Sequence, residues 1–350
     1  MAAGRSIRYN HHLPTAQAVP PSAGHVACGE ARQVVGYGVV LHRLAMTPRR
    51  LRQYAQIAAQ AAVAAGSRIA RFASRPRSVQ TKRSPVDLVT ELDRSSEQLL
   101  YRLLHRAEPA MGFLGEEYGL RHPDAPLRWI VDPIDGTNNF VHGLPLFGVS
   151  IGLQELGQTS SPYHGHRREA SDPSLRRVSR RSRAPVQGSL DRAPLIHVGV
   201  IYDPMRRELF TAMKGLGAFL NGKRVHVSTT TRLAHSLLST GFSSNFLKQR
   251  QPYLDWFETL QRHSHGVRRI GSTVISLSAV AAGRLDGFYE LDLWPWDMAA
   301  GMLLVEEAGG RVTDLVGQPA RLEPGGLLAS NGAIHQELLH RLAQKAVHSR

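Results

Sequence analysis

The chain has 350 residues, of which 42% are apolar and 20% are charged, a balance that favours a soluble globular protein and excludes a chain disordered throughout. An uninterrupted apolar run of about 18 residues, the minimum for a membrane-spanning helix, does not occur in the sequence, so no membrane span is predicted. Cys28 is the only cysteine, which excludes disulfides within the chain and favours the reducing cytoplasm as its location.

About a third of the net charge of +15 lies in one segment. Residues 158–193 contain eight arginines and three acidic residues, and they are rich in serine and proline with little periodicity. A loop of this length and composition is typical of a disordered insertion. Nucleic acid is an alternative partner for such a basic segment. It is not favoured, because the sequence has no zinc-ligand spacing and no basic stretch interleaved with aromatic residues.

The first ordered element is predicted to be a helix. Residues 1–45 have no sustained hydrophobic period and are rich in glycine, proline, histidine and alanine, so they are interpreted as a disordered N-terminal extension. Thr47 can cap a helix whose first residue is Pro48. Apolar residues then recur every three or four positions up to Phe72, as on one face of a helix. The folded domain is therefore expected to span residues 46–345.

Acidic positions follow in the next strand–helix unit. Residues 86–89 are typical of a strand, and a helix that carries Asp93 is predicted to begin near Thr90. Beyond this helix, Glu116 and Glu117 stand side by side. Two adjacent glutamates are by themselves typical of a solvated surface loop.

The stretch WIVDPIDGTNNFVHG, residues 129–143, combines a strand end with carboxylates and a turn. Its first three residues are typical of a buried strand, and Asp132 and Asp135 follow at the end of that strand. Gly136 and Thr137 suit a tight turn into a helix, whose unpaired backbone N–H groups attract an anion. This combination indicates a phosphate site with a divalent metal, and hard oxygen ligands suit Mg²⁺. An ordinary surface turn is the alternative, because these residue types are also common in turns.

The second half of the chain is predicted to add a strand pair, a hairpin and two helices. Residues 146–153 and 196–202 are apolar runs that are expected to pair as buried strands, and Asn221-Gly222 is a type I′ hairpin signal. A helix is predicted over residues 272–282. Asp297 stands just ahead of an alanine-rich helical run, where it can cap that helix and still face the site.

Three of these motifs resemble the signatures of the inositol monophosphatase family, and residues 201–227, TGF at 240–242 and VAAGRLDGFYE at 280–290 resemble its bacterial branch in particular. DPIDGTNNF, GEE at residues 115–117 and WDMAAG at residues 296–301 occur in the family's order, and the resemblance covers residues 47–157 and 194–345. It implies an α/β fold, a layered αβαβα sandwich with the metals between its two halves. It also implies a Mg²⁺-dependent, lithium-sensitive phosphatase that acts on myo-inositol monophosphates, and a homodimer.

The resemblance, carried over position by position, implies two Mg²⁺ sites. Glu116, Asp132 and the carbonyl oxygen of Ile134 would form the first site. Asp132, Asp135 and Asp297 would form the second, so that Asp132 bridges the two metals. Metals spaced about 4 Å apart clamp the attacking and leaving oxygens of an in-line displacement.

The same matching implies catalytic and substrate-binding residues. Asp93, Thr137 and Glu116 are the implied catalytic residues, and the first two would orient the attacking water. The implied substrate contacts are Asp135, Gly136, Thr137, Gly271, Ser272, Thr273, Glu290 and Asp297.

Two departures from the family's pattern leave the exact substrate open. Asn138 stands where a threonine is more usual, and Ser272 and Thr273 are bulkier or more polar than the usual small pair. Neither departure is expected to touch a metal position. The alternatives are a fructose-1,6-bisphosphatase, a histidinol-phosphatase or a 3′-nucleotidase, and also a regulatory RNA-binding role on the same fold.

Overall fold

The structure is a computed structural model, and it describes residues 46–73, 79–81, 88–156, 194–243, 246 and 250–345. The predicted N-terminal extension, residues 1–45, and the predicted insertion, residues 158–193, lie outside the described residues. Both therefore remain predictions.

The described part of the chain contains seven α-helices and fifteen strands, together with a 3-10 helix at Leu233–His235. The helices are α1 (Pro48–Phe72), α2 (Glu91–Ala107), α3 (Thr137–Val141), α4 (Arg250–His263), α5 (Thr273–Ala281), α6 (Pro295–Glu307) and α7 (His335–Lys345). The strands are β1 (Val79–Thr81), β2 (Leu88–Thr90), β3 (Gly112–Gly115), β4 (Gly119–Arg121), β5 (Leu127–Asp135), β6 (Gly148–Glu155), β7 (Leu195–Asp203), β8 (Glu208–Met213), β9 (Gly217–Leu220), β10 (Lys223–Arg224), β11 (Leu237–Thr240), β12 (Gly266–Arg269), β13 (Gly287–Leu293), β14 (Arg311–Thr313) and β15 (Gly325–Ser330).

Most of the strands belong to two mixed sheets. The larger has eight strands in the order β10-β9-β8-β7-β6-β5-β3-β4, and the smaller has five in the order β12-β11-β13-β15-β14. In the larger sheet only the β3–β5 pair is parallel. β11 runs parallel to both of its neighbours in the smaller sheet. β1 and β2 form a separate antiparallel pair.

Five layers of secondary structure pack against one another through three clusters of buried apolar side chains. α1 and α2 cover the outer face of the eight-stranded sheet, where Tyr54 packs edge-on against Trp129 with ring centroids 6.2 Å apart. α5 and α6 fill the space between the two sheets. α4 and α7 cover the outer face of the five-stranded sheet through Leu260 and Leu338. This order of layers confirms the predicted αβαβα sandwich of the α/β class.

A close contact with the large sheet fixes the position of α6. A Cβ atom on Gly199 of β7 would lie only 2.6 Å from the carbonyl oxygen of Ala300, so a side chain there would push the helix away. The hydroxyl of Ser150 on β6 donates a hydrogen bond to the carbonyl of Trp296 at 3.2 Å. These contacts place the first turn of α6, which includes Asp297, at the central strands.

Local predictions from the sequence are mostly confirmed. Thr47 caps α1 by accepting the N–H of Arg50 at 3.3 Å, and α2 begins at Glu91, next to its predicted start. β6 and β7 pair along their length. Asn221 and Gly222 have φ angles of 47° and 80°, as a type I′ turn requires. Among the described residues, no helix is long and apolar enough to span a membrane.

Candidate metal and phosphate site

A bulge in β5 brings two aspartates to one side of the strand. Asp132 pairs with Ser150 and Asp135 pairs with Gly148, so β5 has one more residue than β6 between these two pairs. Residues three apart in a regular strand point to opposite faces, and one extra residue cancels that reversal. Pro133 fits at a bulge because it has no N–H to contribute to the ladder.

Three carboxylates meet where β5 ends and α6 begins. Oxygen atoms of Asp132, Asp135 and Asp297 all lie within 4.8 Å of one another. Asp132 accepts the backbone N–H of Ile134 at 2.9 Å, which fixes its orientation. Carboxylates this close repel one another unless protons or a cation neutralise them. The donor set is all oxygen, which suits a hard divalent cation such as Mg²⁺.

Asp297 reaches this cluster from a helix position that differs from the predicted one. α6 begins at Pro295, so Asp297 is the third residue of the helix and not the residue ahead of it. Proline favours the first helical position, which explains the earlier start. The Asp297 carboxylate still caps the helix, because it accepts the N–H of Trp294 at 2.7 Å.

Burial and mutual repulsion raise the pKa values of the clustered carboxyl groups. Burial, together with the charge of Glu116, raises the pKa of Asp135 to about 6, against the opposing hydrogen bonds from Ser272 and Val274. Burial, and then the charges of Asp135 and Glu116, raise the pKa of Asp297 well above its usual value. Glu116 lies outside the three-residue cluster, but its charge acts on both of these groups.

The predicted water-orienting pair is brought together beside the cluster. The hydroxyl of Thr137 lies 3.0 Å from Oδ1 of Asp93 and 3.0 Å from the carbonyl oxygen of Ile134, and it can donate to either. Asp93 is fully buried on α2. Two segments 44 residues apart in the chain therefore meet at this hydroxyl.

The turn after β5 packs tightly against the loop that contains Gly271. Gly136 has a φ angle of 92°, a left-handed conformation that favours glycine. A Cβ atom there would lie 2.9 Å from the carbonyl oxygen of Leu146 and 3.3 Å from that of Gly271. The Asn139 side chain donates hydrogen bonds to the carbonyls of Leu146 and Ile270, at 2.8 and 2.9 Å. Sequence analysis did not identify Asn139.

The remaining predicted substrate contacts lie beside Asp135. The hydroxyl of Ser272 donates a hydrogen bond to the Asp135 carboxylate, so the expectation that Ser272 touches no metal position is wrong. The hydroxyl of Thr273 lies 3.2 Å from Oε2 of Glu290, to which it donates. Burial, and then the charge of Asp135, raise the pKa of Glu290 to about 8. A Cβ atom on Gly241 would collide with the Glu290 carboxylate, so this glycine also belongs to the site.

Glu97 is a further residue that sequence analysis missed. It is only 1% exposed, and its carboxylate accepts the backbone N–H groups of Glu117 and Tyr118 at 2.7 and 3.0 Å. Burial raises its pKa to about 7. The sequence contained one indication that Glu97 belongs to the site: Asp93 and Glu97 are four residues apart and therefore share one helix face. A charged residue four positions after a predicted site residue is too common in helices to decide the matter.

The αβαβα sandwich and the carboxylate cluster define this chain as an α/β enzyme with a metal-competent centre. Residues 50–161 and 193–348 match the family model described as the inositol monophosphatase family. The chain belongs to the inositol monophosphatase family, and it is a phosphatase.

Similar proteins include both enzymes and proteins with other names. The inositol-1-monophosphatase of Synechocystis sp. is 39% identical over 300 residues, covering 85% of this chain and 91% of that protein. The Nus factor SuhB of Pseudomonas aeruginosa is 37% identical over 289 residues, covering 81% of this chain and 93% of that protein. The inositol monophosphatase structure from Anabaena has a TM-score of 0.66 at 35% identity, covering 84% of this chain and 96% of that one.

Proposed function

We propose that this phosphatase is a Mg²⁺-dependent phosphomonoesterase that hydrolyses myo-inositol monophosphate to myo-inositol and phosphate. The observation that carries the proposal is the cluster of Asp132, Asp135 and Asp297, whose oxygens lie within 4.8 Å of one another, beside the Asp93–Thr137 pair. The names of relatives such as the Synechocystis inositol-1-monophosphatase support the substrate.

The acidic residues have the chemistry of a Mg²⁺ site. Asp132, Asp135 and Asp297 would hold one Mg²⁺, and Glu116, Asp132 and the carbonyl oxygen of Ile134 would hold the other. The raised pKa values of Asp135 and Asp297 support this assignment, because a bound cation would offset both the burial and the repulsion that raise them. Bound divalent cations supply Lewis-acid stabilisation of the phosphoryl oxygens and make water more acidic.

Thr137 would orient the attacking water. When its hydroxyl hydrogen is donated to Asp93, the oxygen lone pairs remain free to accept a hydrogen bond from water. The water would then present a lone pair to phosphorus, which is the geometry an in-line attack needs. The backbone N–H groups of Gly136 and Thr137 would donate to the phosphate oxygens. No covalent phosphoenzyme is required.

Glu290 would recognise the hydroxyl groups of the substrate. Its carboxyl group is buried and accepts from Thr273. A bound cation would favour its ionised form, and an ionised carboxylate is a strong acceptor for the hydroxyls of a cyclitol. Gly271, Ser272 and Thr273 would contact the same part of the substrate. A sugar phosphate or nucleotide also carries hydroxyls, so fructose 1,6-bisphosphate, histidinol phosphate and adenosine 3′,5′-bisphosphate remain the alternative substrates.

A kinetic panel of these four substrates, with Mg²⁺ and with EDTA, tests the proposal. Hydrolysis of myo-inositol 1-phosphate should have the highest kcat/KM and should stop in EDTA. Asp132→Asn is the matched control, because it preserves side-chain shape while removing a ligand charge. A preference above about tenfold, or 1.4 kcal/mol, for another substrate would overturn the assignment. Full activity in EDTA would overturn the metal dependence.

A regulatory RNA-binding role is the second candidate. Relatives named Nus factor SuhB are 35–37% identical to the chain, and residues 158–193 contain eight arginines. RNA affinity measured across a salt series, with and without these residues, distinguishes the two roles. A steep loss of affinity with salt that disappears on deletion would support RNA binding, and equal weak binding by both proteins would remove this candidate.

We also propose that the chain forms a homodimer in the cytoplasm. Leu144 and Met205 are 51% and 40% exposed, and Arg206 joins their two loops by donating to the carbonyl of Pro145 at 3.5 Å. Exposed apolar side chains that lie together often mark an interface. Light scattering should give twice the chain mass, and Leu144→Glu should shift the protein towards the monomer; a wild-type monomer would contradict this.

A further inference from the structure

We propose that Glu97 is a positioning residue for Glu116, which it holds in place through the backbone of the loop that follows Glu116. This inference rests on the proposed metal-dependent function, in which Glu116 is a metal ligand. Glu97 itself would touch neither the metal nor the substrate.

The contacts of Glu97 use both of its carboxylate oxygens. Oε2 accepts the N–H of Glu117 at 2.7 Å, and Oε1 accepts the N–H of Tyr118 at 3.0 Å. These are the two peptide groups that directly follow Glu116. Hydrogen bonds from N–H groups to an ionised acceptor are stronger than neutral ones. A glutamine could serve only one of the two donors, because its amide nitrogen is itself a donor.

A second contact holds the loop on the other side of Glu116. Gly115 lies against the Glu97 carboxylate so closely that a Cβ atom on Gly115 would collide with it. The backbone is therefore fixed by Glu97 immediately before Glu116 and immediately after it. A carboxylate that brackets a predicted ligand in this way limits the directions in which that ligand can point.

The same helix face also supports Thr137. Asp93 and Glu97 are one turn apart on α2, and they are 0% and 1% exposed. Asp93 fixes the hydroxyl of Thr137, while Glu97 fixes the Glu116 loop. A buried carboxylate is costly unless it is hydrogen-bonded. Two of them on one turn therefore indicate that α2 aligns both loops relative to each other.

The competing explanation is that Glu97 has a purely structural role, and the chain contains a residue with such a role. Glu307 near the end of α6 accepts the N–H groups of Gly215 and Gly217 at 2.7 and 2.8 Å, so it binds a turn with the same two-donor geometry. It lies about 15 Å along α6 from Asp297, given a rise of 1.5 Å per residue. Glu307→Gln is therefore a matched control for Glu97→Gln.

The test measures Mg²⁺ binding by calorimetry and thermal unfolding in EDTA for wild type, Glu97→Gln and Glu307→Gln. Loss of an interaction that orients a metal ligand weakens metal affinity by about 10–100-fold, and this loss is expected for Glu97→Gln only. Both variants should melt lower in EDTA by similar amounts. Excess Mg²⁺ should restore much of the kcat of Glu97→Gln, because the ligand itself is still present.

Gly115→Ala provides a second route to the same contact if Glu97→Gln does not fold. The added methyl group should displace the Glu97 carboxylate and weaken Mg²⁺ binding in the same way. Wild-type Mg²⁺ affinity in Glu97→Gln would overturn the inference and leave the proposed function intact. If only Gly115→Ala folds, wild-type Mg²⁺ affinity in that variant would have the same consequence. A wild-type protein that neither binds Mg²⁺ nor needs it for turnover would overturn both.

Discussion

Asp135 caps helix α5 from the opposite half of the molecule: its Oδ2 accepts the backbone N–H of Val274 at 3.1 Å, across 139 residues of sequence. The hydroxyl of Ser272, which also caps α5, donates to the same carboxylate. One side chain thus faces the acidic cluster and also fixes the loop expected to contact the substrate. A change at Asp135 should therefore affect metal binding and the substrate loop together.

Asp135→Asn should reduce kcat by about 10³-fold or more, since a lost metal contact removes several kcal/mol of transition-state stabilisation. The fold should survive, because asparagine keeps one oxygen that can cap α5. Steady-state kinetics at saturating Mg²⁺ and thermal unfolding measure the two effects. Ser272→Ala is the control for the capping contact alone. Near-native turnover of Asp135→Asn in saturating Mg²⁺ would contradict the proposed metal site.

Thr137→Val should lower kcat by about 10²-fold or more, because positioning of the attacking group is lost while shape is kept. Its Mg²⁺ affinity should remain close to that of wild type, since no predicted ligand changes. Thr137→Ser restores the hydroxyl and should recover most of the activity. Asp93→Asn combined with Thr137→Val should cost little more than Thr137→Val alone, and fully additive losses would show that the two residues act separately.

Glu290→Gln should raise KM for myo-inositol 1-phosphate by about tenfold, as expected for a weakened hydrogen bond to a charged group. The kcat/KM for an aryl phosphate without ring hydroxyls should change little. Thr273→Val tests the neighbouring hydroxyl, which orients Glu290 at 3.2 Å, and should have a smaller effect in the same direction. Equal losses of kcat/KM on both substrates would mean that Glu290 does not recognise the hydroxyl groups of the substrate.

The metal-free protein should lose stability as the pH rises from about 4.5 to about 8, and the loss should be clearest between about pH 6.5 and 8. Burial raises the pKa of Glu97 to about 7 and that of Glu290 to about 8, both from 4.5. The unfolded state releases these protons near pH 4.5 while the folded state keeps them. The free energy of unfolding therefore falls from about pH 4.5 up to the raised pKa values and levels off above them. His335, whose pKa burial lowers to about 4, has the opposite effect, but only below about pH 6.5.

Thermal unfolding in EDTA across this pH range measures the effect. Saturating Mg²⁺ should weaken the trend, because a bound cation favours the ionised carboxylates. Glu290→Gln should flatten the upper part of the curve. A melting temperature in EDTA that stays constant or increases with pH would contradict the burial of protonated carboxyl groups.

A variant that begins at Met46 and has a four-residue turn in place of residues 158–193 should keep its turnover number. Glu155 and Leu195 pair directly at the ends of β6 and β7, so a short turn can join them. Loop closure costs little more for long loops than for short ones, and the variant should be more stable by about 1–2 kcal/mol. Kinetics and denaturant unfolding test this. A folded but inactive variant would show that a removed segment serves the active site.

The sequence alone determined the class of protein and the residue types at its centre. Its local patterns predicted the cap at Thr47 and the turn at Asn221-Gly222, because these depend on the conformational preferences of neighbouring residues. The spacing of Asp132 and Asp135 and the resemblance of the motifs predicted the family. Both kinds of signal are contained within a few consecutive residues.

Only the tertiary structure decided how distant residues meet. The bulge in β5 depends on the register between β5 and β6. That register cannot be predicted from the sequence of either strand alone. The role of Glu97 and the double role of Asp135 could not be predicted from the sequence either, because their hydrogen-bond partners are 20 or more residues away in the chain. Such contacts form only when packed layers bring the segments together, and a buried carboxylate then acquires a partner that no local pattern specifies.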